Sequence, residues 1–168
     1  LIGPYKMQIL VWEGDDEFPP NAQVLYSDNF AEGFAAEDRV VAGDILITTG
    51  GSEALLLTCL SILDPYTEVI IPEPYYPNYT TFVHAAGGVI RALHTGPEEG
   101  YCYADRKRIE RLITKNTRAI LITNPGNPTG VVLDRDEMRM IADIAKKHDL
   151  FLICDEVYRE FCYDDQFG

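Results

Sequence analysis

The sequence predicts an α/β fold: a mainly parallel sheet with helices on both faces. Three observations predict it. Short β-rich apolar runs recur at residues 68–71, 88–93, 119–122 and 150–154. Segments with helical spacing lie between them, and strands alternating with helices mark a parallel, doubly wound sheet. Turn chemistry gathers just after the strands, above all in Asn124-Pro125-Gly126-Asn127-Pro128-Thr129-Gly130. In open α/β sheets the carboxyl ends of strands are where ligands bind.

Taken in order, residues 1–42 read as an arm and connecting segment. Trp12, the acidic stretch 13–17 and Pro19-Pro20 suit a loop that needs a partner surface, and a short helix is expected over 30–39. A strand at 45–49 leads into Gly50-Gly51-Ser52-Glu53, and a helix then runs from Ala54 to about Leu63. Strand, glycine-rich turn and helix N-terminus together make an anion site, because backbone N–H groups converge there. The spacing is neither the dinucleotide fingerprint nor a P-loop. The strand at 68–71 ends in Pro72-Glu73-Pro74-Tyr75-Tyr76-Pro77-Asn78-Tyr79, a rigid loop able to hold an aromatic face over a planar ligand. Ile109, Leu112 and Ile113 share one face of a helix over 105–116. The helix over 134–147 buries Met138, Ile141, Ile144 and Ala145. The strand at 150–154 delivers Asp155-Glu156-Val157-Tyr158 at its end.

Length and composition narrow the function. A chain of 168 residues is about one domain. Lys and Arg number 14 against 27 Asp and Glu, a formal charge of -13, which argues against nucleic acid or an anionic membrane surface as partner. No apolar run is long enough to span a bilayer, and no leader pattern is present, so a cytoplasmic location is expected. Cys59 and Cys154 sit in apolar runs and read as core residues, Cys102 and Cys162 form no Cys-x-x-Cys pair, and a reducing compartment fits. His84, His94 and His148 lack metal-ligand spacing, and no metal is expected.

Four strand ends therefore converge on one edge of the sheet: 50–53, 75–79, 124–130 and 155–158. Anion nest, aromatic ring, amide, carboxylate and phenol together suit a planar, phosphorylated aromatic ligand. In this order the motifs Thr49-Gly50-Gly51-Ser52-Glu53-Ala54-Leu55, Pro74-Tyr75-Tyr76-Pro77-Asn78-Tyr79, Asn124 to Gly130 and Asp155-Glu156-Val157-Tyr158 resemble the large domain of pyridoxal-phosphate-dependent aminotransferases, class I/II, of the aspartate aminotransferase fold.

The resemblance covers residue 45 to the end and implies a three-layer αβα domain over residues 43–168. It implies pyridoxal 5'-phosphate as cofactor, with amino-acid and 2-oxo-acid substrates and a homodimer. Gly51, Ser52 and Glu53 then face the cofactor phosphate. Tyr76 stacks on the ring, Asn127 and Tyr158 bond its 3-hydroxyl oxygen, and Asp155 pairs with the ring nitrogen. Asp155, Tyr158 and Asn127 are the residues implied in catalysis. Tyr26 is the candidate for a tyrosine that reaches the partner subunit's phosphate. The resemblance also implies a cis bond at Asn127-Pro128.

Two departures stand against the family pattern. The Gly-x-x-x-Leu-Arg helix expected soon after Tyr26 is replaced by Asn29-Phe30-Ala31-Glu32, and the stretch before residue 45 is short. The family's covalent lysine and its substrate-binding arginine fall beyond the Asp155 position. Lys6, Lys107, Lys115, Lys146 and Lys147 all lie in arm or helix contexts, so residues 1–168 alone are expected to be inactive. Two strands expected after Asp155 would lie between the 45–49 strand and the 150–154 strand, leaving edges for other segments or chains to fill. The same fold also serves lyases, decarboxylases, synthases and non-enzymatic sensors, which stand as alternatives to amino-group transfer.

Overall fold

The structure, a computed structural model, describes residues 7–9 and 48–161. Tyr26, Cys162, the helix expected over 30–39 and residues 45–47 of the first expected strand lie outside the described residues. The elements are β1 (Met7–Ile9), α1 (Gly51–Ile62), β2 (Glu68–Glu73), α2 (Asn78–Ala85), β3 (Val89–His94), α3 (Arg106–Leu112), β4 (Thr117–Thr123), α4 (Arg135–Lys147) and β5 (Phe151–Asp155). Among the described residues the sheet has five strands, in the order β1-β5-β4-β2-β3. Every pairing is parallel, so the α/β expectation holds.

Period-two alternation splits the core into two layers, since successive strand side chains point to opposite faces. On one face Val69, Ile71, Ala119, Leu121 and Ile153 pack with Leu55 and Cys59 of α1 and Tyr79, Phe82 and Val83 of α2. On the other, Ile70, Ile120, Ile122, Leu152 and Cys154 pack with Ile109 of α3 and Ile141, Ile144 and Ala145 of α4. Cys59 and Cys154 are buried as expected, and burial pushes the Cys59 thiol up to about 11. Met138 is only partly buried against the second layer.

The helices begin where local chemistry allows. Asp134 caps α4 by accepting from the Glu137 N–H at 2.8 Å, and Glu137 reaches back to the Asp134 N–H at 2.9 Å. This reciprocal capping box satisfies two otherwise orphaned donors. Lys146 and Lys147 close the same helix, where positive charge complements the backbone dipole. Asp105 caps α3 by accepting from the Lys107 and Arg108 N–H groups.

Three expectations need correcting. Part of the arm is a strand, because Met7, Gln8 and Ile9 pair with Ile153, Cys154 and Asp155. The backbone groups on that side of β5 would otherwise be an unpaired sheet edge, which templates strand addition. Helix α1 starts at Gly51, so Gly51, Ser52 and Glu53 are helical rather than part of a turn. A glycine N-cap needs no side-chain signal, which is why the sequence pattern placed the start late. Thr48 and Thr49 are not in a strand.

Candidate active site

The ends of β4 and β5 are brought together by register. Thr123 and Asp155 are the last residues of their strands and are direct partners across the ladder. Alternation from Leu121 and Ile153 puts both side chains on the α1–α2 face of the sheet. Pairing continues one residue further, where the Asn124 N–H donates to the Asp155 carbonyl at 3.0 Å.

Asp155 is buried, with 5% of its surface exposed. A lone buried carboxylate is costly unless donors surround it. Here the Tyr79 hydroxyl donates to Oδ2 at 2.6 Å and the Val157 N–H to Oδ1 at 3.2 Å. Tyr79 is itself buried in the second position of α2, and its hydroxyl lies 2.6 Å from Thr123 Oγ1. Burial first, and the Asp155 charge second, push the Tyr79 phenol far above its ordinary range. It is therefore a neutral donor across the working pH range.

The loop after β4 is held from within. The Asn124 side chain is buried and accepts from the Leu133 N–H at 2.9 Å. Gly126 donates to the Val131 carbonyl at 2.7 Å, and Gly130 donates back to Gly126 at 2.8 Å. Gly130 has φ +73, a conformation side chains rarely adopt, and a Cβ on Gly126 would come within 2.8 Å of Thr129 Oγ1. Asn127-Pro128 is cis as expected, and so are Asn124-Pro125 and Glu73-Pro74. The loop brings Asn127 Nδ2 to 3.1 Å from the Tyr158 hydroxyl.

The aromatic loop places Tyr76 edge-on to Tyr79, with ring centroids 5.6 Å apart, and the Tyr76 hydroxyl accepts from Asn78 at 2.7 Å. Tyr75 and Tyr76 pack on the core cluster that holds Leu55 of α1. The N-terminus of α1 thus belongs to the same side of the sheet. Gly50 caps it with no side-chain hydrogen bond. Ser52 and Glu53 are exposed there, and Glu53 accepts from the Thr49 N–H at 2.7 Å and the Thr49 hydroxyl at 2.8 Å. Those two bonds, the backbone one first, hold the Glu53 carboxyl below its ordinary value.

Not every expected residue shares one cavity. A cleft at this edge is lined by Glu73, Pro74, Tyr75, Thr95, Thr123 and Asn127, among others, while Ser52, Tyr76, Asp155 and Tyr158 are not in its lining. Hydrogen bonds instead join the site in two groups, Tyr79–Thr123–Asp155 and Asn127–Tyr158. Sequence reasoning missed Tyr79 and Thr123. The one available signal was Tyr79 standing one helical turn after Tyr76; its partner depends on strand register, which spacing does not reveal.

A buried carboxylate, an amide–phenol pair and an aromatic loop at the carboxyl ends of parallel strands, with helices packed on both faces of the sheet, define a three-layer α/β domain. The comparisons give that class its family. The sequence profile of aminotransferase class I and II matches residues 28–167, and the chain belongs to that family. A domain of unknown function matches residues 4–49.

Among its relatives, the aspartate/prephenate aminotransferase of Thermus thermophilus is 35% identical over 157 residues, covering 92% of this chain and 40% of the relative. Aromatic-amino-acid aminotransferase 2 of Thermococcus litoralis is 35% identical over 156 residues, covering 90% of this chain and 40% of the relative. A solved structure of a Thermus thermophilus aspartate aminotransferase single mutant superposes with a TM-score of 0.73 at 38% identity, over 77% of this chain and 34% of that one. The chain thus spans well under half the length of the relatives it matches.

Proposed function

We propose that this chain supplies the cofactor-binding edge of a pyridoxal-phosphate-dependent aminotransferase, which moves an amino group between an amino acid and a 2-oxo acid. The observation that carries the reading is the buried Asp155 carboxylate beside the Asn127–Tyr158 pair, all at the carboxyl ends of β4 and β5. The aminotransferase names of the relatives support transfer over the lyase, decarboxylase, synthase and sensor readings.

The residues present fit pyridoxal phosphate by their chemistry. Asp155 would face the ring nitrogen, Asn127 and Tyr158 the 3-hydroxyl oxygen, and Tyr76 the ring. Gly51, Ser52 and Glu53 would offer their backbone N–H groups, with the Ser52 hydroxyl, to the phosphate. When bound, the cofactor supplies an electron sink for the pair released as a substrate's α-proton departs. A carboxylate such as Asp155 keeps a neighbouring ring nitrogen in its cationic form. Donation from Asn127 and Tyr158 would steady negative charge on the 3-hydroxyl oxygen, and Tyr76 would offer an aromatic surface to the ring.

The reading extends to residues 43–168 as the cofactor-binding region and 1–42 as an arm. It also extends to a homodimer in which Tyr26 reaches the partner's phosphate, and to the cytoplasm, which the buried thiol of Cys59 supports. Among the described residues no helix is long and apolar enough to cross a membrane.

The test loads a full-length form, one that carries the covalent lysine the family resemblance places after the Asp155 position, with pyridoxal phosphate and offers it a panel of amino acids with 2-oxoglutarate, measuring glutamate. Glutamate formation with at least one of them is expected, and Asp155→Asn lowers it by about a thousandfold, the upper end for removing one preorganised electrostatic partner. Cofactor binding with no transfer from any amino acid contradicts the reading.

A further inference from the structure

Thr123, Tyr79 and Asp155 form a directed chain of hydrogen bonds. An ionised carboxylate only accepts, so the single Tyr79 proton goes to Asp155 Oδ2, at 2.6 Å. The contact of 2.6 Å to Thr123 Oγ1 must then be donation from Thr123 to the Tyr79 oxygen. Each bond polarises the next, which strengthens the whole. The Tyr79 ring is fixed independently of its hydroxyl, by burial at the start of α2 and by the edge contact with Tyr76. Packing alone would be served by phenylalanine. The hydroxyl does something else: it occupies Oδ2 and fixes the plane of the carboxylate, while Val157 takes one of the acceptor sites of Oδ1.

Resting on the cofactor reading above, we infer that Tyr79, braced by Thr123, is the positioning residue that holds the Asp155 carboxylate in the orientation from which it keeps the cofactor's ring nitrogen protonated. Tyr79 touches no reacting atom; it acts through Asp155. Without its hydroxyl the carboxylate can turn about its side-chain bonds, and the ring nitrogen loses a fixed partner.

The test uses the intact protein and pyridoxal phosphate labelled with nitrogen-15 in the ring, whose chemical shift reports the proton on that nitrogen. The wild type should hold the proton well into the alkaline range. In Tyr79→Phe the pH at which it is lost should fall by about one unit, matching about a tenfold weaker hold. Thr123→Val, which leaves the Tyr79–Asp155 contact in place, should shift it in the same direction by less. It carries the test if Tyr79→Phe does not fold. A purely structural role would lower the melting temperature of the apoprotein and leave this titration where it is in the wild type.

Wild-type titration in every folded variant overturns the inference. If Asp155→Asn shifts the titration and the Tyr79 and Thr123 variants do not, the inference fails while the cofactor reading stands. If the wild type binds no pyridoxal phosphate, the cofactor reading fails and takes this inference with it.

Discussion

Two helix N-termini in this molecule are built differently. Helix α4 opens on a complete capping box, Asp134 and Glu137 each accepting from the other's backbone N–H. Helix α1 opens on Gly50, which has no side chain to give. The glutamate is present in both helices at the same place, three residues after the cap. In α4 it bonds the cap's N–H, whereas in α1 Glu53 reaches one residue further out to Thr49. Only half of the device survives in α1, and the missing half is the one that would satisfy the first-turn amides. An end built for stability uses its own side chains, and an end left open keeps its amides for a ligand.

The sharpest way to break that contrast is Gly50→Asp. The Gly50 backbone is extended, with φ 166, and a Cβ there meets nothing within 4 Å, so the site accepts a side chain. The new carboxylate should cap α1 and occupy the amides. Affinity for pyridoxal phosphate should then fall about a hundredfold, as expected for losing about 2.7 kcal/mol of charge-assisted bonding. Apoprotein stability should hold or rise, and unchanged affinity by isothermal titration would mean that α1 is not the phosphate end.

Ser52→Ala removes one exposed hydroxyl from the same turn. Affinity should drop about tenfold, one hydrogen bond to a charged group, with no change in the denaturation midpoint. Asp134→Ala does the reverse. It should cost about 1 kcal/mol in urea denaturation, the usual worth of an N-cap, and leave cofactor affinity alone.

Glu53→Gln gives the smallest effect, and its sign is set by the lowered Glu53 value. A carboxyl that ionises more readily when folded stabilises the fold above its unfolded value. That contribution is lost as pH falls through its folded value. Between the two values the unfolded chain binds more protons, so stability rises with pH. The wild type should therefore show a slightly steeper loss of stability on acidification than Glu53→Gln, read from melting temperatures across the acid range.

Much of this was legible in the sequence, for physical reasons. The β4 and β5 runs are apolar on both faces because each face is covered, and continuous apolar runs mark such strands. The helix over 134–147 could be placed because Met138, Ile141, Ile144 and Ala145 recur at helical spacing within a charged segment. Asn127, Asp155 and Tyr158 could be named because loops after parallel strands share an edge. What the sequence concealed depends on partners far along the chain. Tyr79 lies 76 residues from Asp155, and their bond follows from strand register and the placement of α2. Likewise Met7–Ile9 became a strand because β5 offered it an edge. The start of α1 was misplaced because a glycine cap carries no side-chain signature.

The central claim is that one sheet edge holds both ends of pyridoxal phosphate, the ring at Asp155 and the phosphate at α1. Its most direct test is a titration of the intact apoprotein with pyridoxal phosphate and with pyridoxal, which lacks the phosphate. The account predicts that the wild type and Asp134→Ala both prefer the phosphorylated form strongly, and that Gly50→Asp loses most of that preference while still binding the ring. An undiminished preference in Gly50→Asp, or no binding of pyridoxal phosphate by the wild type, would contradict it.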